Sequence, residues 1–469
     1  MLVVFSRSYC FIYLLAFIGG SLFFRMHDIA WHDSQRIAEI SFFWVASLAI
    51  LFFDKRDFFV DTKITFFLSA FFFIGLFSSL FSNQPVWALV ELALFLGCFG
   101  FYLYISSMRN ALGEKADWAF LVLILLIVVV KAVQFFSSYI AACFSGDEAL
   151  DVWLLADGFS NIRHYGQFQT FMLSILVFLT FPIDGKRFYS IAAFVLLVLF
   201  WVIVIACGTR GTWLGIACAG ALIFLISSVG RFWFLIQAGA ACIALLVYFC
   251  LFHIITDALH ITILQSAANR ITTSLSSRDI IWEKAIGMIM AHPFLGVGPM
   301  HFADTYNPVA AHPHQAFLQI ACEWGIPALI ILIVLLVKFF KFSFLVARSA
   351  DLKKRDSVLQ VSLIAGLWAA LVQSMVDGVI VMPYSQLWLM IFAGWLNGSC
   401  ASSYAEIDKR CANTLKIVLL SSSLFLVFIV FRDINHLDWM KEGGQKNEWG
   451  YFQPRFWSQG IIAIPESRL

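Results

Sequence analysis

The sequence predicts an all-α, polytopic integral membrane protein with about 12–13 transmembrane helices. Three observations carry this reading. Hydrophobic residues make up 61% of the 469 and charged residues 13%, against about 45–50% and about 25% in a soluble domain. Apolar runs of about 17 to 25 residues recur along nearly the whole chain, each long enough to cross a hydrocarbon core about 30 Å thick. The short alternating period of a membrane β-barrel is not present.

Taken in order, the expected spans are 9–24, 38–53, 64–82, 86–107, 118–143, 166–182, 188–206, 212–229, 232–255, 316–337, 358–379, 384–399 and 415–431. The first run is followed by Arg25-Met-His-Asp where a cleaved signal would carry small residues, so it is read as a helix. The spans divide the chain into N-terminal membrane helices (1–255), a loop (256–313), C-terminal membrane helices (314–431) and a short tail (432–469).

Alternate loops differ in charge. One set carries bases such as Lys55, Arg56 and Lys63, Arg109 and Lys115, and Lys338 to Arg355, whereas the loop 146–165 in the other set carries Asp147, Glu148, Asp151 and Asp157. Short cytoplasmic loops concentrate Lys and Arg, so the first set is expected inside, with the 256–313 loop and the C-terminal tail outside. Within that loop, Ile281, Trp282, Ala285, Ile286 and Ile289 share one face of a helix over 278–291, as in a helix lying at a membrane interface. The formal charge of +2 gives no bias toward nucleic acid. The ten cysteines fall mostly within or beside apolar runs without a C-x-x-C spacing and read as small core residues.

Four outside segments carry polar groups unusual for their apolar surroundings: 158–170 (GFSNIRHYGQFQT), 207–215 (CGTRGTWLG), 274–282 (SLSSRDIIW) and 311–315 (AHPHQ). Arg210 sits in a turn of only about three residues between two spans, a place where an arginine either snorkels to the headgroups or meets a cavity or an anion. Arg278, at the start of an interfacial helix, fits a contact with lipid phosphate or a functional role. Arg163, beside Asn161 and His164, fits either a pair with Asp157 or a site.

His312 and His314, with His301 and Asp304 upstream, are candidate metal ligands, but no carboxylate or cysteine set at standard spacing completes a site. His314 otherwise reads as a structural ring or as a base near its ordinary pKa of about 6.5. Gln315, Gln319 and Glu323 follow at i, i+4 and i+8, a polar stripe that ends at a Gly325–Pro327 break. It fits a wet cleft or hydrogen bonds between helices.

His314-Gln315, nine residues and Gly325, followed by Ile326-Pro327-Ala328, resemble the signature of the O-antigen ligases and the related O-antigen polymerases and bacterial protein O-oligosaccharyltransferases. RGTWLG at 210–215 resembles the arginine motif of that family, and RDIIWEKAIGMIMAHPFLGVGPMHF at 278–302 resembles the segment preceding its histidine. The resemblance covers roughly residues 158–398.

It implies a metal-independent, inverting glycosyltransferase of the GT-C type in the bacterial inner membrane, with a periplasmic site and no cofactor. The implied donor is a glycan on undecaprenyl diphosphate, and the acceptor is lipid A-core, a protein such as pilin, or another lipid-linked repeat. His314, Arg210 and Arg278 are then the expected catalytic residues. Arg163, Gln167, Gln315, Gln319, Glu323, Asp377 and Tyr384 are the expected substrate-binding residues. Asp377 and Tyr384 flank a short outside loop and fit structural roles equally well. From another class, a lipid or anionic-solute transporter would use the arginines as counter-charges, but its polar groups would lie nearer the midplane and in two similar halves.

Overall fold

In the computed structural model the described residues are 11, 15–26, 29–54, 57–58, 62–146, 148–181, 187–264, 278–305, 309–400, 407–437 and 455–458. Residue 11 and residues 15–20 are helical, and fourteen α-helices of nine residues or more follow. These are α1 Trp31–Ile50, α2 Thr62–Leu80, α3 Pro85–Leu112, α4 Glu114–Phe144, α5 Ile162–Thr180, α6 Arg187–Cys207, α7 Arg210–Ile226 and α8 Ser228–Phe249. The remainder are α9 Arg278–Ala291, α10 Ala316–Trp324, α11 Ile326–Arg348, α12 Arg355–Ser374, α13 Pro383–Ser399 and α14 Lys409–Leu437.

The protein is an all-α, multi-pass membrane protein. Eight of the described helices are long and apolar enough to cross a membrane. Large apolar side chains stay uncovered along their outer faces, among them Phe66, Phe73, Leu245, Leu246, Phe428 and Phe431. Lipid, not water, is the solvent such faces fit. α11 buries only Ala328, Ser343 and Ala347 of its 23 residues, so it runs along the lipid boundary.

The interior is assembled around α3 and α12. α3 packs on α13, α1 and α14, while α12 packs on α7 and α5, and α5 packs on α6. The α7–α12 approach explains the glycines of the RGTWLG stretch. A Cβ on Gly215 would stand 2.6 Å from the Ala369 carbonyl oxygen, and one on Gly211 3.3 Å from Gln373. Small residues four apart let two backbones meet closely. Thr212 then donates to the Gly166 carbonyl at 2.7 Å, and Thr170 to Gln373 Oε1 at 2.6 Å, which ties α5, α7 and α12 together. Gly215→Val is expected to cost about 1–3 kcal/mol or more through overpacking. Yield of monodisperse protein after detergent extraction checks this. Gly239→Val, where nothing lies within 4 Å, serves as the control, and equal yields would contradict the packing account.

Two local features depart from the sequence expectation, and a third follows its Gly325–Pro327 break. α1 begins at Trp31, seven residues before the expected span at 38, because the polar side chains of WHDSQRIAE are buried on partners elsewhere in the fold, Gln35 on the Gly158 carbonyl and Arg36 on Gln386. Second, a short parallel strand pair, β1 (Ala149–Asp151) with β2 (Thr262–Leu264), joins two loops in an otherwise helical molecule. Third, the helix after the histidines is two helices. α10 ends at Gly325, whose φ of +89° and 2.2 Å Cβ approach to the Phe294 carbonyl oxygen exclude a side chain.

The 278–291 helix forms as expected and buries Ile281, Ala285 and Met288, with Trp282 and Ile289 partly covered, against Phe302 and Cys322. Ile286 is instead exposed. The helix thus packs over α10. Most of the tail lies outside the described residues, as do part of the first span, the whole of 182–186 and 265–277, and the bases Lys55 and Arg56. None of the nine described cysteines forms a disulfide among the described residues.

Candidate active site

The N-termini of three helices carry the residues of interest. Asn161 caps α5, its Oδ1 accepting the Arg163 N–H at 2.9 Å, so Arg163 stands in the first turn. Arg210 is the first residue of α7, placed by the α7–α12 packing. Gln315 caps α10 through Leu318 N–H, and His314 precedes it. Helix N-termini present unpaired N–H groups and a partial positive charge. Arg278 joins them from the first described turn of α9, donating from Nη2 to the Val376 carbonyl at 2.7 Å.

The loop that carries the histidines is held on several sides. Val297 and Gly298 donate to the Cys322 and Glu323 carbonyls at 2.8 and 3.0 Å, and Ile326 donates to the Pro293 carbonyl at 2.8 Å. Trp282 Nε1 donates to the Pro313 carbonyl at 3.0 Å. His312 packs on Gly378, where a Cβ would come within 2.5 Å of its ring. The His312 and His314 rings lie 4.1 Å apart, with His314 N–H directed at His312 Nδ1 at 3.3 Å. His314 has a φ of +54°. A left-handed backbone at a non-glycine residue persists only where its surroundings impose it.

The charges of these segments act on one another. Burial, then Arg163 and Arg278, pull the His314 imidazole down to about 3. The expectation of a base near its ordinary pKa therefore does not describe the unliganded site, where His314 is neutral. His312 is held well below its ordinary value by burial and then by His314, Arg455, His164 and Arg163. Burial, Arg163 and Arg210 lower Arg278, while Asp377 opposes them. Burial raises Asp377 against the Gly378 N–H and the charges of Arg163 and Arg278. His314 Nδ1, His312 Nε2 and Arg278 Nε are buried and have no hydrogen-bond partner among the described residues.

The structure thus brings Arg163, Arg210, Arg278, Asp377 and His314 into one electrostatic cluster. Other sequence-selected residues stand differently. Gln167 Oε1 accepts from Ser385, and Gln315 Nε2 reaches Met375 Sδ. Gln319 turns to Glu323, which accepts from Phe302 N–H and from Arg455. Tyr384 is buried, donating to the Ile18 carbonyl at 2.9 Å. Asp157 takes Gln134 and, through its carbonyl, Lys131.

His301 and Asp304 accept from Gln84 and Asn83 at the start of α3, away from the His312–His314 pair. No three His, Cys, Asp or Glu side chains gather as metal ligands among the described residues.

Residues 193–333 match the family described as O-antigen ligase. The chain carries an O-antigen ligase domain. Arg210, Arg278, His314, Gln315, Gln319 and Glu323 lie within the matched residues, while Arg163 and Gln167 on α5, Asp377 in the loop between α12 and α13, and Tyr384 on α13 lie outside them. No curated protein matches the sequence. The match supports a membrane glycosyltransferase-like function.

Sequence reasoning missed several polar residues that the fold buries beside the ligase domain: His32, Asp33, Arg36, Glu39, Glu91 and Arg455. His32 lies 6.3 Å from His164, ring to ring, and its Nδ1 is 3.0 Å from Asp33 Oδ1. A signal was available in the i, i+3 spacing of Asp33, Arg36 and Glu39 ahead of an apolar run.

The depressed histidines carry a stability consequence. Between pH 6.5 and about 3 the unfolded chain binds a proton at His314 that the folded chain does not. Stability therefore falls as pH drops through this window, on the order of 1 kcal/mol per pH unit. Thermal melting followed by tryptophan emission between pH 7.5 and 5.5 checks it. The slope of Tm against pH is expected to flatten in His314→Gln, and an unchanged slope would mean that the folded protein holds the proton.

Proposed function

We propose that the protein transfers a glycan from undecaprenyl diphosphate to an acceptor hydroxyl at the periplasmic face of the inner membrane, most simply to lipid A-core as an O-antigen ligase. The observation that carries the reading is that Arg163 and Arg278, from separate helices, act on the half-buried His314, with Arg210 of a third helix acting on Arg278. Three cations and three helix N-termini suit a diphosphate, which guanidinium groups bind by paired hydrogen bonds.

In the proposed step the acceptor oxygen attacks the anomeric carbon on the face opposite the diphosphate. The carbon–oxygen bond to the diphosphate breaks, and the anomeric configuration inverts. The leaving group departs as an anion stabilised by Arg210 and Arg278, with Arg163 on its other phosphate. The hydroxyl proton passes to His314 Nδ1. A neutral imidazole is the form that accepts it. The bound diphosphate offsets the Arg163 and Arg278 charges that depress His314, so the base strengthens when the donor is in place. Asp377 would contact sugar hydroxyls and Gln167 the first sugar of the donor, while Gln315 caps the helix behind the histidine. These steps need no metal ion, because the arginines supply the charge that a cation would otherwise bring.

A bacterial strain deleted for its own ligase, expressing this chain, tests the reading. Lipopolysaccharide and pilin are separated on gels and probed for glycan. Long-chain glycan on lipopolysaccharide is the expected result. Glycan on protein alone would make the chain an O-oligosaccharyltransferase. Longer lipid-linked glycan without transfer would make it a polymerase, and no glycan product at all would sink the transferase reading.

A further inference from the structure

Residues 455–458, Arg-Phe-Trp-Ser, return from the C-terminal tail into the protein interior. Arg455 is 1% exposed. Its Nη1 donates to Glu323 Oε1 at 2.6 Å and to the Ala311 carbonyl at 3.3 Å. Its Nη2 donates to both carboxylate oxygens of Glu91 and to Glu323 Oε2 at 2.8 Å. One guanidinium thus joins α3, the second half of α10 and the loop just before His312.

The segment is anchored along its length. Arg36 donates from Nε to the Phe456 carbonyl and lies 5.4 Å over the Phe456 ring, while its other nitrogens reach Gln386 and the Val381 carbonyl. Val381 belongs to the loop that carries Asp377. Trp457 Nε1 donates to Asp433, and Ser458 donates from N and Oγ to Asp33 at 2.6 Å each.

We propose that Arg455 is a positioning residue for the transfer site, holding the 311–315 loop in the conformation that presents His314. This rests on the transferase reading. The physical ground is the strained backbone of His314. A left-handed residue keeps its φ only where neighbours over-determine it, and Arg455 supplies two restraints on that loop. One is direct, through Ala311. The other runs through Glu323, which also holds Phe302 N–H at 3.1 Å. A lysine keeps the charge but cannot span Ala311, Glu91 and Glu323 at once, because it lacks the planar fork.

The test compares wild type, Arg455→Lys, Arg455→Met and Trp457→Phe as full chains in nanodiscs, each normalised to monodisperse folded protein. Two readouts are taken. The first is steady-state transfer from a polyprenyl-diphosphate glycan. Arg455→Met is expected to lower kcat about 10²-fold, with the donor KM held within about twofold, because a misplaced base costs rate without altering donor contacts. Arg455→Lys is expected to lose about tenfold, and Trp457→Phe to stay within about twofold.

The second readout is the rate of His314 acylation by diethyl pyrocarbonate, read by mass spectrometry against exposed His260 as an internal reference. Release of the loop is expected to raise it about tenfold in Arg455→Met, with a smaller rise in Arg455→Lys. Should Arg455→Met yield no folded protein, Arg455→Lys decides both readouts. Wild-type kcat and wild-type acylation in the folded variants would overturn the proposal and leave Arg455 as a structural cation only. If the wild type transfers nothing, the functional reading fails, and the acylation rates alone decide whether Arg455 holds the loop.

Discussion

His314→Ala is expected to reduce glycan transfer by about 10²–10⁴-fold at unchanged protein level, the range lost when a positioned base is removed. The variant should fold. His314 is partly accessible, its Nδ1 holds no bond among the described residues, and Trp282, Gly378 and Arg455 secure the loop independently of its ring. Donor binding should survive, because the arginines proposed to meet the diphosphate come from α5, α7 and α9. The signature is therefore a fall in kcat with little change in the donor KM. Transfer by His314→Ala at the wild-type rate would remove the base from the account. A rise in donor KM with kcat preserved would recast His314 as a donor contact.

Arg278→Ala and Arg210→Ala form the second large expectation, a loss of about 10²–10³-fold each, typical of removing one preorganised donor from developing negative charge. Arg278→Lys should recover only part of the loss. Arg278 is fixed by its Nη2 bond to the Val376 carbonyl, and a lysine offers one point charge where the guanidinium offers a fork. Combining the two alanines should cost less than the product of the single effects if both arginines serve the same leaving group. Fully multiplicative losses would assign them to separate steps. Steady-state transfer at saturating acceptor distinguishes the two.

What the sequence made legible is what local chemistry punctuates. The helix break at Gly325 was readable because glycine followed by proline interrupts an apolar run, and the structure explains the glycine by its φ and by the Phe294 carbonyl against it. The apolar face of the 278–291 helix was readable from its period, except at Ile286, which lies on the edge of that face and stays exposed. The start of α1 was not readable by hydropathy. Arg36 and Glu39 count against a span in any window, yet inside the fold they satisfy one another, and Arg36 also reaches Gln386 and Val381.

Long-range pairing was the least legible. The Glu323 stripe looked like the wall of a wet cleft, but its end meets Arg455, 132 positions away, and Glu91 reaches the same guanidinium from 364 positions away. No local pattern announces such a pairing, because a buried charge chooses its partner by where the chain returns rather than by spacing. Arg163, Arg210 and Arg278 occupied a shared membrane face only under an assumed topology. Their mutual effect on Arg278 and His314 is a property of the folded chain.

The central claim is that this chain moves a glycan from a lipid diphosphate to an acceptor hydroxyl with His314 as the base. The most direct measurement uses the purified protein in nanodiscs with a polyprenyl-diphosphate glycan and glycan-free lipid A-core, following both products by mass spectrometry. The account predicts glycosylated lipid A-core and free polyprenyl diphosphate in equal amounts, both lost in His314→Ala. Donor consumption without glycan on the acceptor, or equal product from wild type and His314→Ala, would contradict it.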